Sequence, residues 1–288
     1  MKKIFFTGAN GFIGSHLVPY LKSHLSNVYI HEYSGKIESY SEIENEFKKE
    51  NWDYIFHFAG MSHVSDCELS PQKAYEVNVL GTLFVAQLIS NYNFCGKLFF
   101  ASTSLIFDFN ENNINGEITE KSKIKPLNTY SRTKFYAEKI VENLTLISSA
   151  KVCILRLFNH THKSQSSKFI LPSVCQQVQN ANNGDTIKVG NLDLERDFSL
   201  VSDFVKKVSE LLLLDESNSF QILNLSSGVG RNLKTLVELI IKKSGKKLNI
   251  EIQSNLIRKN DPKRVVGKFK TSYNSQLTDE EFIEAFLF

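Results

Sequence analysis

The sequence lacks the cysteine patterns that bind metals or build disulfide frameworks. Its 288 residues contain four cysteines, none in a Cys-x-x-Cys pair and none with a histidine at metal-ligand spacing. They are Cys67, Cys95, Cys153 and Cys175. We therefore expect reduced thiols in a reducing compartment, and no metal ion.

Long hydrophobic runs and a strong charge of one sign are also missing. The apolar run near the start stops at Thr7-Gly8, too early for a signal peptide, and no later stretch is long enough to span a membrane. The net charge of +3 is too small to indicate a nucleic-acid-binding protein. We expect a cytoplasmic protein with neither a membrane nor a nucleic acid as its partner.

A glycine-rich turn follows the first predicted strand and opens the first predicted helix. In Thr-Gly-Ala-Asn-Gly-Phe-Ile-Gly, Gly8 permits a tight turn, Gly11 lets the backbone approach a pyrophosphate, and Gly14 lets helix and strand pack closely. The helix N-terminus then offers free N–H groups and a favourable dipole to the phosphates. The motif predicts dinucleotide binding by Gly8, Asn10, Gly11, Phe12, Ile13 and Gly14.

The residue that distinguishes NADH from NADPH should lie about twenty positions further on, where an acidic side chain binds the adenosine ribose. Glu32 follows Gly14 by 18 residues, and no arginine follows it to pair with a 2′-phosphate. Glu32 therefore favours NADH, although a solvated strand end also explains it, and Lys36 leaves NADPH open.

Tyr130 and Lys134 form the only Tyr/Lys pair with four-residue spacing among the ten tyrosines. A free tyrosine has a pKa near 10, which is too high for an efficient acid or base at neutral pH. A lysine one helical turn later lies on the same face, and we expect its charge to stabilise the phenolate and lower that pKa. The pair predicts proton transfer, with the lysine also holding the nicotinamide ribose.

A hydroxyl is also needed to polarise the substrate oxygen. Three hydroxyl residues end the predicted strand at residues 97–101, on the edge where open α/β sheets bind ligands. Thr103 is the predicted catalytic hydroxyl, with Ser102 and Ser104 as alternates, although small polar residues in a turn are also explained structurally. Together with the Tyr/Lys pair, it predicts redox chemistry at a carbonyl or alcohol carbon.

Strands alternate with helices, which predicts an α/β fold with a doubly wound parallel sheet of the Rossmann type. Helices are predicted at residues 13–25, 42–49, 71–90, 129–147, 201–214, 232–243 and 278–287, and a loop at 159–168. Residues 1–158 and 196–225 are the predicted dinucleotide-binding domain. Residues 159–195 and 226–288 are the predicted substrate domain, a smaller α/β domain.

These motifs together resemble the extended short-chain dehydrogenase/reductase family, also called the NAD-dependent epimerase/dehydratase family, which acts on nucleotide sugars. The likeness covers essentially the whole chain. Within the family, the sequence is most similar to the GDP-4-keto-6-deoxy-D-mannose reductases. This similarity is carried by Phe-Asn-His-Thr at 158–161, Phe-Ile-Leu-Pro-Ser at 169–173 and Val-Gly-Asn-Leu-Asp-Leu-Glu-Arg-Asp-Phe at 189–198.

The resemblance implies further binding residues. The implied cofactor contacts are Phe58, Ala59, Gly60, Asn78 and Ser102, besides Tyr130 and Lys134. The implied substrate contacts are Ser62, Ser104, Asn159, Pro172, Arg196 and Arg258, of which the two arginines would meet the diphosphate. Because relatives pair through the long helices predicted at 71–90 and 129–147, a homodimer is expected.

The resemblance also bears on the reaction. The family's 4,6-dehydratases carry Asp-Glu directly after the catalytic threonine, where this chain has Ser104 and Leu105, so dehydration is not expected. We expect NAD(P)H-dependent reduction of the C4 keto group of a 4-keto-6-deoxy nucleotide sugar, GDP-linked, in deoxysugar biosynthesis. A 4-epimerase with tightly bound NAD and a non-catalytic regulatory subunit remain alternatives.

Overall fold

The computed structural model describes residues 1–109, 118–213, 218–257, 261–268 and 277–287, and twelve strands lie in these ranges. They are β1 (Lys2–Thr7), β2 (Val28–Tyr33), β3 (Tyr54–His57), β4 (Lys97–Thr103), β5 (Lys151–Leu157), β6 (Asn159–Thr161), β7 (Thr186–Val189), β8 (Glu195–Leu200), β9 (Phe220–Leu225), β10 (Gly230–Asn232), β11 (Asn249–Ile252) and β12 (Arg264–Val265).

The helices of the described ranges alternate with these strands in the first half of the chain. They are α1 (Gly14–His24), α2 (Tyr40–Phe47), α3 (Val64–Leu69), α4 (Pro71–Tyr75), α5 (Gly81–Asn91), α6 (Thr129–Ile147), α7 (Ile170–Asn180), α8 (Val201–Leu213), α9 (Leu233–Lys243) and α10 (Asp279–Leu287). A π-helical segment, Glu76–Leu80, joins α4 to α5. The helix predicted at 71–90 is therefore interrupted by a wider turn.

The chain divides into two units. The first comprises Met1–Phe107, Ile124–Leu157 and Val205–Asn224, and the second comprises Asp108–Lys123, Phe158–Phe204 and Leu225–Phe288. Asp108–Lys123, Phe158 and Leu225, predicted with the dinucleotide-binding residues, fall in the second unit. Residues 196–204 also fall there and not, as predicted, in the dinucleotide-binding domain. The reason is strand pairing, because β8 bonds to β6, β10 and β12 and not to the main sheet.

The first unit contains a six-stranded parallel sheet in the order β2-β1-β3-β4-β5-β9, which confirms the predicted doubly wound fold. β2 and β3 lie on opposite sides of β1, with Phe6 opposite both Glu32 and Phe56. Strand order therefore reverses at β1. The carboxyl ends of β1 and β3 flank the crevice in which such sheets bind ligands.

Apolar strands account for the burial of this sheet. β4 is buried along its whole length, as expected for a parallel strand covered on both faces. One core lies between the sheet and the helices α2, α5 and α6. Its members include Phe5, Phe47, Phe100, Leu88 and Val141. This packing fixes α6, which carries Tyr130 and Lys134, against the sheet.

The second unit has two small sheets. β8 pairs with β6, β10 and β12, and β7 pairs with β11. Its core lies among α7, α9 and α10 and includes Leu171, Phe198, Leu236 and Phe282. The loop predicted at 159–168 is wrong at its start, because Asn159–Thr161 pairs with β8. No helix in the part of the chain that the structure describes is long and apolar enough to cross a membrane.

Candidate active site

The turn between β1 and α1 is built on close backbone contacts. Gly8 has a φ of +84°, and a Cβ there would lie 2.5 Å from the backbone nitrogen of Ala59. A Cβ on Gly14 would lie 2.2 Å from the carbonyl oxygen of Gly8. Neither position accepts a side chain without backbone movement. The roles predicted for these two glycines, a tight turn and close helix packing, match this geometry.

The first turn of α1 has the properties of an anion site. No side chain caps it, and it contains no acidic residue. The N–H groups of Ser15, His16 and Leu17 already donate to the carbonyls of Gly11 and Ile13. The positive end of the helix dipole remains uncapped, so the residues present fit a dinucleotide pyrophosphate. Asn10 and Gly11 are exposed here, whereas Phe12 and Ile13 are half-buried.

Glu32 lies near the end of β2, where the ribose contact is predicted. Its carboxylate is exposed and forms an ion pair with Lys22 of α1, with the Lys22 Nζ 2.6 Å from Glu32 Oε1. Lys36 lies in the following turn, where its backbone N–H donates to Glu42. Both predicted determinants of cofactor type are thus present near the same strand end.

The loop after β3 lies beside the glycine turn. The Ala59 N–H donates to the Thr7 hydroxyl at 3.3 Å, and the Phe58 ring packs against Phe6. A Cβ on Gly60 would lie 2.9 Å from Asn78 Oδ1 and 3.9 Å from Lys134 Nζ. The predicted cofactor loop and the predicted catalytic lysine are therefore neighbours.

Asn78 lies in the π-helical segment, a feature common at functional sites. Its Oδ1 accepts from the Met61 N–H at 2.8 Å, and its Nδ2 donates to the Met61 carbonyl and to the Thr133 hydroxyl. Both amide hydrogens are therefore used within the protein. Asn78 ties the loop after β3 to α6, so its geometry is that of a positioning residue.

Tyr130 and Thr103 come together as predicted. The Thr103 hydroxyl is close enough to the Tyr130 phenol to act on it electrostatically, and the Leu105 N–H donates to that hydroxyl at 3.2 Å. Thr103 is the last residue of β4, and Tyr130 lies in the first turn of α6. The strand end and the helix start thus present two hydroxyl groups at one place.

The predicted lowering of the Tyr130 pKa is wrong. Burial raises this pKa to about 12, although the Thr103 hydroxyl acts in the opposite direction. Burial penalises the phenolate because the charged form loses its hydration. Tyr130 therefore holds its proton at neutral pH, which is the state that a proton donor requires.

Lys134 lies one turn after Tyr130 and is only 5% exposed. Its Nζ lies 4.5 Å from the centroid of the Phe100 ring. Burial lowers its pKa to about 8, and the carboxylate of Glu138 opposes that shift. The lysine is therefore charged at neutral pH and loses its proton only slightly above it.

Ser102, which precedes Thr103 in β4, is bonded to a different part of the protein. Its hydroxyl donates to Glu138 Oε1 at 2.5 Å, and Arg156 donates to both oxygens of the same carboxylate. The sequence motifs do not identify this buried network. The sequence feature that could have revealed this network is Arg156. It is a single charge in the apolar strand Val-Cys-Ile-Leu-Arg-Leu, and a buried charge requires a partner.

Two further titratable groups near the Tyr/Lys pair are absent from the sequence prediction. His57 is buried between the hydroxyl groups of Thr7 and Thr82, and burial lowers its pKa to about 3. Burial raises the pKa of the Cys67 thiol to about 11. Both groups are therefore neutral at neutral pH.

The start of α6 is fixed from two sides. Asn128 and Ser131 form a reciprocal capping box, which satisfies free N–H groups of the first turn. Glu68 of α3 accepts from the backbone N–H and the hydroxyl of Thr129. These bonds hold the residue next to Tyr130 and so set the position of the phenol.

The predicted substrate residues are distributed over both units. In the first, Ser62 is exposed and Ser104 is buried. In the second, Pro172 is buried in α7, and Asn159 donates to the carbonyl of Asp197 at 3.3 Å. Arg196 donates to Asp261 Oδ1 at 2.7 Å. Arg258 lies outside the described residues.

Comparison with known proteins identifies the family. A model of the GDP-mannose 4,6-dehydratase family matches residues 26–283, most of the chain. The chain belongs to this family. It is thus an NAD(P)-dependent enzyme of the extended short-chain dehydrogenase/reductase type, which confirms the family predicted from the sequence.

Individual relatives include a reductase and an epimerase. The GDP-6-deoxy-D-mannose reductase of Pseudomonas aeruginosa is 24% identical over 99% of this chain and 96% of its own. The UDP-glucose 4-epimerase of Pisum sativum is 24% identical over 87% of this chain and 84% of its own. The solved structure of RMD from Pseudomonas aeruginosa with NADPH has a TM-score of 0.85 at 23% identity, covering 100% of this chain and 98% of that one.

One feature separates this chain from the dehydratases of the GDP-mannose 4,6-dehydratase family. Ser104 and Leu105 occupy the positions directly after Thr103, in a short 3₁₀ turn. A leucine side chain cannot donate or accept a proton, so the acid/base pair that resemblance predicts for dehydration is missing.

Proposed function

We propose that the chain reduces the C4 keto group of a 4-keto-6-deoxy nucleotide sugar, GDP-linked, in deoxysugar biosynthesis. The observation that carries this proposal is that the Tyr130 phenol lies beside the Thr103 hydroxyl, with the buried Lys134 one helical turn after Tyr130. The likeness to the Pseudomonas aeruginosa reductase over nearly the full length of both chains supports it.

The residues act as follows in this proposal. NAD(P)H, when bound at the glycine turn, supplies the hydride that adds to C4. Thr103 and Tyr130 hydrogen-bond the C4 carbonyl oxygen, and Tyr130 gives its proton to that oxygen, so that the carbonyl becomes a secondary alcohol. Lys134, charged at neutral pH, stabilises the phenolate that remains.

The proposed substrate contacts lie at Ser62, Ser104, Asn159, Pro172, Arg196 and Arg258. Arg196 is proposed for the diphosphate because a guanidinium binds phosphate oxygens bidentately. Its terminal nitrogen now bonds to Asp261. The diphosphate would have to share the guanidinium with this carboxylate or replace it.

We propose NADH as the preferred cofactor. The exposed carboxylate of Glu32 is suited to a ribose diol and would repel a 2′-phosphate. Two lysines would favour NADPH instead, because their charge could bind its 2′-phosphate. Lys22 forms an ion pair with Glu32, and Lys36 follows Glu32 by four residues. The NADPH complex of the Pseudomonas aeruginosa protein and the NAD complex of the Thermus thermophilus UDP-glucose 4-epimerase support the view that this fold accommodates either cofactor.

A 4-epimerase with retained NAD is the second candidate. The likeness to the pea UDP-glucose 4-epimerase favours it, and the reaction needs the same tyrosine, lysine and hydroxyl. A regulatory subunit fits less well, because the Thr103/Tyr130/Lys134 set is intact. We also propose that the enzyme is located in the cytoplasm and that it forms a homodimer.

One assay tests the reaction and the cofactor together. The purified protein is mixed with NADH or NADPH and with GDP-4-keto-6-deoxy-D-mannose or its dTDP counterpart, and absorbance at the nicotinamide band is followed. We expect stoichiometric oxidation with the GDP sugar, faster with NADH. If neither sugar consumes cofactor, and the protein instead carries NAD and interconverts C4 epimers, the epimerase is the correct assignment.

A further inference from the structure

Glu138 is a buried carboxylate in α6, one helical turn after Lys134. Arg156 Nε donates to its Oε1 at 3.0 Å, and the terminal nitrogen of Arg156 donates to its Oε2 at 2.9 Å. Ser102 donates to Oε1 as well. Both side chains of the ion pair are 3% exposed. A charge so deeply buried is tolerated only with this number of donors around it.

This network connects β5 to the two elements that carry Thr103, Tyr130 and Lys134. Ser102 directly precedes Thr103 in β4, Glu138 follows Lys134 in α6, and Arg156 lies in β5. The sequence separation of Glu138 from its partners, 36 and 18 residues, means that the fold had to bring them together. The carboxylate is therefore held at one place relative to the lysine.

Glu138 is also the negative charge that acts on Lys134 at neutral pH. The other titratable groups around Lys134 are His57 of β3, Cys67 of α3, Tyr130 of α6 and, beyond the carboxylate, Arg156 of β5. The shifted pKa values of His57, Cys67 and Tyr130 make all three neutral at pH 7. Among the described titratable groups around the lysine, only Glu138 then carries a negative charge that opposes the cost of burying the ammonium, and the Phe100 ring adds an uncharged contact.

We propose that Glu138 is a positioning residue for the reduction, whose carboxylate keeps the buried Lys134 ammonium charged while Arg156 and Ser102 hold the carboxylate in place. The proposal rests on the proposed function, in which the charge of Lys134 stabilises the Tyr130 phenolate. Because burial already brings the pKa of Lys134 to about 8, removal of the carboxylate carries this pKa toward neutrality.

The test variant is Glu138→Gln, which keeps the shape and a hydrogen-bonding oxygen but removes the charge. The proton loss of Lys134 is followed by NMR of the lysine Cε as pH rises, with its signal assigned by its absence in Lys134→Arg. We expect the midpoint to fall by about one pH unit, which is the size of shift that a nearby opposite charge causes. In the reduction assay, the basic limb of kcat/KM should move by the same amount.

Two further variants keep the test decisive. Glu142→Gln removes a carboxylate one turn further along α6, exposed and paired with Lys139, and should leave the Lys134 midpoint unchanged. Glu138→Gln with Arg156→Met removes both buried charges, a change that folded proteins often tolerate. A purely structural ion pair predicts a parent-like midpoint in this double variant, whereas the proposal predicts a lowered one.

An unchanged Lys134 midpoint in both the single and the double variant overturns the proposal. The NMR readout requires neither cofactor nor substrate, so it is separate from the reaction. If the midpoint falls but no keto sugar is reduced, the effect of Glu138 on Lys134 stands, and the proposed reaction fails on its own.

Discussion

At the residue scale, the chemistry depends on how burial sets two acid strengths. Tyr130 is a weaker acid than free tyrosine, and Lys134 is a stronger acid than free lysine, because each loses hydration of its charged form. In the resting site, the proton therefore sits on the phenol and the positive charge on the amine. This pairing suits delivery of a proton to a carbonyl oxygen.

The first prediction at this scale concerns the phenol. Tyr130→Phe removes the donated proton but keeps the ring, so turnover should fall by roughly 10²- to 10⁴-fold, the usual contribution of general acid catalysis. Cofactor affinity, measured by fluorescence titration with NADH, should stay within about twofold of the parent. The control is Tyr136→Phe, on the same helix but exposed, which should retain full turnover. Parent-like turnover in Tyr130→Phe would remove Tyr130 from the mechanism.

The second prediction concerns pH. Because the charged form of Lys134 exists below its pKa of about 8, kcat/KM for reduction should be level near pH 7. Above the Lys134 pKa of about 8, kcat/KM should fall about tenfold per pH unit, since Lys134 loses one proton. The Tyr130 pKa of about 12 lies too high to produce this limb. Samples returned from high pH to pH 7 must recover activity, and a flat profile to pH 10 contradicts the assignment.

At the element scale, the site is made by the ends of strands and the starts of helices. The β1–α1 turn leads into a helix start that no side chain caps, β4 ends at Thr103, and α6 begins one residue before Tyr130. The π-helical segment places Asn78 between α6 and the loop after β3. Thr103, Tyr130 and Asn78 thus lie where a regular element ends, begins or changes its geometry, whereas Lys134 lies one turn further inside α6.

The prediction at this scale separates backbone strain from close contact in the glycine turn. Gly8 and Gly184 both have positive φ, +84° and +93°, but only Gly8 has backbone atoms where a Cβ would lie. Gly184→Ala should cost roughly 1–2 kcal/mol for its left-handed backbone. Gly8→Ala should cost more and also weaken cofactor binding, as measured by urea unfolding and NADH titration. Equal losses in the two variants would mean that the contact with Ala59 is unimportant.

At the scale of the whole molecule, the proposed homodimer makes use of exposed apolar side chains on the first unit. Leu83 of α5 and Tyr136 of α6 are 38% and 47% exposed, and the Tyr75 ring lies 6.2 Å from that of Tyr136. Stable interfaces place such aromatic and aliphatic groups at their centre. A second copy of the same face satisfies this requirement with a twofold axis.

The corresponding prediction is a change of assembly. Leu83→Lys combined with Tyr136→Lys should convert a dimer to a monomer in sedimentation velocity, because it places four like charges in one symmetric interface. Leu256→Lys, at an exposed leucine of the second unit, is the control and should remain dimeric. A monomeric parent protein, or a double variant that still dimerises, would rule out this face.

The sequence also located most of the elements at this scale, but not how they divide between the units. A short apolar run predicts a strand from residues that are adjacent in the sequence. Similarly, α6 begins and ends at the predicted residues. β8, which contains Arg196, Asp197 and Phe198, belongs to the second unit because it pairs with β6, β10 and β12. These partner strands are distant from β8 in the sequence. Pairing between distant segments leaves no periodic pattern along the chain.

The sequence by itself determined the features that depend on local spacing. The glycine turn, the four-residue spacing of Tyr130 and Lys134, and Thr103 at a strand end are all readable from adjacent residues. Only the tertiary structure decided the acid strengths of that pair, the diversion of Ser102 to Glu138, and the engagement of Asn78 with Met61. These depend on burial and on partners far away in the chain, and both arise only when the chain has folded.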